Sequence, residues 1–273
     1  MSILINSYAG TGVLLYSAAL LSFSKDEQIS SQKALAVDGI RLSFLVLDEA
    51  SHRLNECLTK ISDGSLSEKD GMAYYVRIDH ILGYVWTIID HSKRVLRFIE
   101  IIELTFDDES NNGIADTVNL LTKARDSFQH LNERIQQYYT DNRGSLNGDL
   151  SWYFREADSS AVTSCYLSSS AAPRPAQEVD GVRMISTQPV IIEAKEDREI
   201  GISDLSLHFI KSENRQKGPF TYSVVSIDEI AQLMNDIIVI LLRTFSKYVE
   251  SSIGVKGRGS LPFLSKIEIN RNE

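Results

Sequence analysis

The stretch Lys123-Ala124-Arg125-Asp126-Ser127-Phe128-Gln129-His130 puts a guanidinium, a carboxylate and an imidazole close together in one short run. These are the groups that phosphoryl chemistry on RNA requires. RNA supplies its own nucleophile, the 2′-OH, so cleavage needs a group that moves a proton near neutral pH and a cation that steadies the phosphorane. A histidine such as His130, with a reference pKa of about 6.5, suits the first role. Arg125 suits the second, because its permanent charge and planar fork match phosphate oxygens. Asp126, one helical turn before His130, can orient or charge the ring. Such a set calls for no metal and no cofactor.

The element that must position these residues is a helix over roughly 112–140. Ile114, Val118, Leu121, Phe128, Ile135 and Tyr139 recur at spacings of three, four and seven, the period of a helix with one buried face. With Phe128 at zero and 100° per residue, Leu121 lies at about 20°, Ala124 at about −40° and Ile135 at about −20°. Arg125 falls at about 60°, on the shoulder of the apolar stripe, and Asn132 at about 40°, inside it. A cation at the edge of a core needs a partner. Asp126 and His130 fall near 160° and about 200°, on the outward side, as neighbours four apart. Arg125 and His130 are therefore about 140° apart and converge only if the helix pairs with its own copy about a two-fold axis. Two other uses of these residues stay open. Arg125 could pair with an acidic residue on a neighbouring helix, and Asp126, His130 and Arg134 could form a solvated ladder.

Arg125 to His130 has the form R-x4-H with a polar residue directly after the arginine. It resembles the signature of the HEPN superfamily of helical-bundle proteins. The resemblance covers the three N-terminal helices. It implies a bundle fold, a homodimer in which the Arg and His of two subunits meet at a cleft, and Arg125, His130 and Asp126 as catalytic residues. It implies membership of a prokaryotic defence or toxin–antitoxin system. Many such proteins are metal-independent endoribonucleases, which here would leave 2′,3′-cyclic phosphate ends. Others are non-catalytic partners, so the alternative is a helical interaction module that dimerises and binds a protein partner.

Composition bounds these readings. The chain has 273 residues, 43% hydrophobic and 24% charged, as in ordinary globular proteins. A net charge of −9 and a pI near 5.2 argue against gripping long duplex DNA by bulk electrostatics. They leave room for a small basic site. Cys57 and Cys165 have no metal-ligand spacing, and a reducing, cytoplasmic setting fits best. The apolar stretch Gly10 to Phe23 has no Lys or Arg before it and is too short to span a bilayer. It reads as a buried strand or short helix packed on the body. Ala9-Gly10-Thr11-Gly12 lacks the Lys-Ser/Thr of a phosphate loop.

Four long helices account for most of the chain. All five prolines lie at residue 173 or beyond, so nothing breaks the early ones. The first helix, about 31–61, carries Ile40, Phe44, Leu47, Leu54, Leu58 and Ile61 on one face and ends at Ser62-Asp63-Gly64-Ser65. The second, about 69–103, alternates Tyr74, Ile78, Ile81, Val85, Ile88, Ser92, Val95, Ile99 and Ile102 by four and three, which predicts shallow-angle packing. Residues 107–113 read as a loop before the third helix. Strand character follows at 150–154, 161–167, 182–185, 190–193 and 205–210, with a Ser/Ala/Pro-rich loop at 168–176. Ser226-Ile227-Asp228-Glu229 has the form of a capping box. The fourth helix after it, with Ile237 to Leu242 apolar all round, should be the most buried. The expected architecture is mainly α, a four-helix bundle with a β-rich insertion, α+β overall. The three parts are 1–140, the first three helices; 141–224, the insertion; and 225–273, the fourth helix and tail.

The remaining constellations are weaker. Glu49-Ala50-Ser51-His52 has the E-x-x-H spacing of di-metal bundles, but in one copy only. Asp79-His80 and Asp90-His91 repeat on one face of the second helix about 16 Å apart, too far to share a metal, and read as surface polar residues. His208, in a β run, reads as structural. The protein should therefore purify without stoichiometric zinc, iron or manganese. Elemental analysis that found about one or two ions per chain would overturn this and promote Glu49 and His52.

Overall fold

A computed structural model of the chain describes residues 13–14, 17–18, 31–104, 108–129, 147–158, 162–168, 177–179, 182–184, 192–194, 200–212 and 220–253. Two long helices, α1 (Ser31–Ser62) and α2 (Met72–Ile102), form a closely packed pair. The expected stripes are the ones that meet. On α1, Ile40, Phe44, Leu47, Leu54, Leu58 and Ile61 are buried. On α2 the same holds for Tyr74, Ile81, Val85, Ile88, Ser92, Val95 and Ile99. Gly39 faces Phe98 across the pair. A Cβ at Gly39 would lie 2.7 Å from the ring. The turn between them is closed by Asp63, whose Oδ1 accepts the Ser65 N–H at 2.8 Å.

Helix α3 (Asp108–Gln129) packs against α2 through the buried Leu121 and Ala124. It begins earlier than the composition suggested, because the Asp107 to Gly113 stretch is helical from Asp108 onward. Asp, Ser and Asn favour first turns and caps as well as loops, so local chemistry there does not separate the two. Ile135 and Tyr139 lie outside the described residues.

Among the described residues, seven strands follow α3: β1 (Asp149–Arg155), β2 (Val162–Ser168), β3 (Gln177–Val179), β4 (Val182–Met184), β5 (Ile192–Ala194), β6 (Gly201–Ser212) and β7 (Phe220–Ser226). Five make an antiparallel sheet in the order β5-β2-β1-β6-β7, and β3 pairs with β4 separately. The chain is thus α+β, helices with an antiparallel sheet. Strands β3 and β7 were not expected, although Phe220-Thr221-Tyr222-Ser223-Val224-Val225 has the β-branched and aromatic content of a strand. Strand β6 also starts earlier than residue 205, by running through a bulge. Asp204 has φ 52°, and the register with β1 shifts between Ser151 and Tyr153. The 168–176 loop, Ser168 apart, lies outside the described residues.

The sheet packs on the helices with one face. Leu150, Trp152 and Phe154 of β1 and Leu205, Leu207 and Phe209 of β6 are buried in the same apolar cluster as the α1 and α2 stripes. Trp152 makes the join. Its indole N–H donates to Ser62 Oγ at 2.8 Å, and that hydroxyl donates to Leu58 O at 2.7 Å. Val13, Leu14, Ser17 and Ala18, the described part of the early apolar stretch, are helical, and the last three of them are buried.

The last helix, α4 (Ile227–Ile253), opens as the capping box predicts, with the Glu229 N–H donating to Ser226 Oγ at 3.1 Å. Asp228 has a different task. Its Oδ2 accepts the Leu205 N–H at 3.0 Å, which satisfies a donor of the β6 bulge. Helix α4 is not buried on all sides. Ile237, Ile238 and Leu241 are buried, but Val239 is 54% exposed, so the helix lies along the surface and α1 and α2 hold the centre. Among the described residues no helix is long and apolar enough to cross a membrane. Trp152→Ala should cost about 3–5 kcal/mol of unfolding free energy, measured by denaturant titration. A loss below about 1 kcal/mol would show that the sheet is not anchored through this side chain.

Candidate functional site

A second stripe runs along α2, away from its seam with α1. Asp79, Gly83, Trp86, Asp90 and Arg94 follow one another at spacings of four, three, four and four. With Arg125 and Phe128 of α3 and Asn147, they line a cleft of about 720 Å³. This lies within the usual span of small-molecule sites, about 300–1,000 Å³. Gly83 contributes open space, since a Cβ there would meet nothing within 4 Å.

Arg125 is where the helical pattern put it, at the edge of the core, its side chain 18% exposed. The partner it needs is Asp90. Arg125 Nε donates to Asp90 Oδ1 at 2.8 Å. The second carboxylate oxygen accepts from Arg94 Nε at 2.7 Å, one turn further along α2. Burial of Asp90 works against its charged form, but the hydrogen bonds and charges of Arg125 and Arg94 outweigh it and hold the carboxyl below its usual range. The reading of Asp90-His91 as surface polar residues is therefore corrected. Asp90 is an interhelical anchor with its side chain 29% exposed. His91 is half-buried, and its Nδ1 has no partner among the described residues. Burial pushes its imidazole below the ordinary value, with Arg94 adding to the effect and Asp90 opposing it, which favours the neutral ring.

Phe128 departs from expectation in the other direction. The helical pattern puts it at the centre of the apolar stripe, but it is 39% exposed and turned onto the cleft. Its ring stacks on Trp86 with centroids 4.3 Å apart and planes 17° from parallel. The stack holds Phe128 in place beyond the last core contacts of α3, and is worth roughly 0.5–1.5 kcal/mol beyond burial. The Trp86 indole N–H donates to Asn147 O at 3.0 Å. Gly148 follows with φ 86°, and a Cβ there would meet Leu207 Cδ1 at 2.7 Å and His208 O at 3.0 Å. Only glycine allows this approach, so the start of β1 ties the cleft to the sheet.

Of the three expected catalytic residues, Arg125 lines the cleft. Asp126 is exposed and outside its lining. His130 and Arg134 lie outside the described residues. Glu49 and His52 are exposed on α1, where Glu49 pairs with Arg53 at 2.8 Å. His208 Nε2 is hydrogen-bonded to Ser151 Oγ at 2.7 Å across β1 and β6. No cluster of three or more His, Cys, Asp or Glu placed to hold a metal occurs among the described residues. Trp86, Thr87, Arg94 and Asn147 were not singled out from the sequence. The four-three-four-four recurrence on α2 was the available signal.

No family model matches the chain, and no curated protein or solved structure is significantly similar to it.

Removing the anchor tests the charge cluster. Asp90→Ala should cost about 1–3 kcal/mol, because it strips a charged acceptor from two guanidiniums. The sign of the pH dependence follows from the lowered pKa. The Asp90 contribution is complete above the ordinary carboxylate pKa of about 4 and fades as pH falls through the lowered value. The stability gap between the wild-type protein and Asp90→Asn should therefore narrow on acidification below about pH 4. A gap independent of pH would refute the charged pairing.

Proposed function

We propose that the chain is a HEPN-like helical protein of a prokaryotic defence or toxin–antitoxin system, working in the cytoplasm as a homodimer and cleaving RNA without metal. Arg125 steadies the phosphorane, His130 moves the proton and Asp126 sets the ring. In this reading the four helices form a bundle centred on α2, which packs against α1, α3 and α4. Residues 141–224 are its β-rich insertion, and 225–273 carry the closing helix and tail. The observation that supports the reading is the setting of Arg125. It is partly buried at a cleft and held at Nε, so its outer nitrogens are positioned for an oxyanion.

A second reading has its own support. Arg125 is already matched by Asp90, as a structural arginine between helices would be. This favours a non-catalytic module that dimerises and binds a protein partner.

The two separate at His130. Under the first reading, His130→Ala abolishes RNA cleavage or cellular toxicity, while unfolding free energy stays within about 0.5 kcal/mol of wild type. The wild-type products carry 2′,3′-cyclic phosphates and form in EDTA, since the attacking oxygen belongs to the RNA. A well-folded His130→Ala protein with undiminished effect leaves the interaction module standing. Arg125→Ala discriminates less well, because it also takes from the half-buried Asp90 its interhelical partner.

A further inference from the structure

We infer that the cleft between α2 and α3 is a binding site, within one protomer, for a flat aromatic ring that carries an anionic group. The inference goes beyond the RNA reading, for it needs neither a second subunit nor His130.

Charge is the first ground. Two guanidiniums converge on the single carboxylate of Asp90, which leaves one positive charge in excess. Both arginines meet Asp90 through Nε. Their terminal nitrogens have no acceptor among the described residues, so two pre-oriented forks remain for an oxyanion. Burial beside Arg94 disfavours a charge on His91, so it adds little to the balance. Partial burial of Arg125 means that it has lost some hydration, which a bound anion restores.

The aromatic stack is the second ground. Phe128 lies one turn beyond Arg125 on α3, and Trp86 lies one turn before Asp90 on α2. The Trp86 ring occupies one side of Phe128, and Phe128 itself is 39% exposed at the cleft. A ligand ring can extend the stack while its anionic group reaches the arginines next to it. The far end of the cleft carries Asp79, about 22 Å along the helix from Arg94, so the anion has one preferred end. A phosphate or a carboxylate satisfies the same forks. The shared chemistry is a ring with an oxyanion close by, and the source is decided by experiment.

Trp86, itself only 8% exposed, lines the cleft and stacks on Phe128, so its emission reports on occupancy through that contact. The other tryptophan, Trp152, is buried in the core and serves as a constant background. Fluorescence titrations should use phenyl phosphate and phenylacetate as ring-anion probes, with phenol and inorganic phosphate as the separated halves of the first and toluene and acetate as those of the second. At least one ring-anion should change Trp86 emission saturably, and its halves should bind at least about tenfold more weakly. Which probe binds identifies phosphate or carboxylate. Arg94→Gln, at an exposed side chain, should weaken the bound probe about tenfold without moving the melting temperature. Phe128→Leu should weaken both the probe and its ring half. No saturable binding of either ring-anion at millimolar concentration overturns the inference, as does unchanged affinity in Arg94→Gln. His130→Ala should bind as the wild type does. Binding without RNA cleavage thus removes only the nuclease reading, and cleavage without ring-anion binding removes only this one.

Discussion

The close-packed seam between α1 and α2 sets the position of everything else. Along one stripe of α2, Tyr74, Ile81, Val85, Ile88, Ser92, Val95 and Ile99 are buried, from Ile81 onward at alternating steps of four and three. Sliding the helix by one residue would rotate this stripe by about 100° and expose it. The tight contact between Gly39 and Phe98 adds a steric lock. Once the seam is fixed, the opposite flank of α2 has no choice of direction. Trp86, Asp90 and Arg94 must face α3, and α3 must bring a partner for Asp90 and a ring for Trp86. Arg125 and Phe128, three residues apart, do both.

The Asp90 cluster is a compromise between burial and hydration. At 29% exposure the carboxylate has lost part of its water, and each arginine returns a charge-assisted hydrogen bond. Arg94, with its side chain 54% exposed, keeps most of its own hydration, and exposed pairs of that kind contribute little by themselves. The less exposed Arg125–Asp90 pair is the structural half, joining two helices across 35 residues of sequence. Arg94 adds charge that the structural role does not require. Such a surplus is what distinguishes a site from an ordinary interhelical bridge.

Much of the fold was legible because it rests on periodicity. The faces of α1 and α2 follow from counting apolar residues, and the turn at Ser62 to Ser65 and the cap at Ser226 follow from local hydrogen-bond chemistry. What escaped depends on distant partners. Strand β6 crosses a residue with positive φ because its bulge donor finds Asp228, 23 positions away. The exposure of Val239 could not be read from an all-apolar run, because which side meets the core is decided by the sheet. In the site, the shoulder position of Arg125 and its need for a carboxylate were both visible. The identity of that carboxylate was not, since nothing local to Asp90 marks it off from Asp79. Phe128 was misplaced for the same reason: an aromatic at the end of a stripe can finish the core or begin a cleft.

An acidic protein with two arginines at one end of a cleft raises the question of how large an anion it can hold. The chain carries nine net negative charges, while the Asp90 cluster has one positive charge in excess. At physiological salt, exposed charges are screened beyond about 8 Å. An anion seated against Arg94 and Arg125 therefore responds mainly to those two groups, and the acidic remainder acts on it weakly. A long polyanion has no such shelter, because most of its phosphates would lie over a surface of their own sign. The cluster favours a compact anion, or one phosphate of a short single strand whose neighbours project away from the body. Stacking on Phe128 fits that restriction, for it adds affinity without asking for further charge.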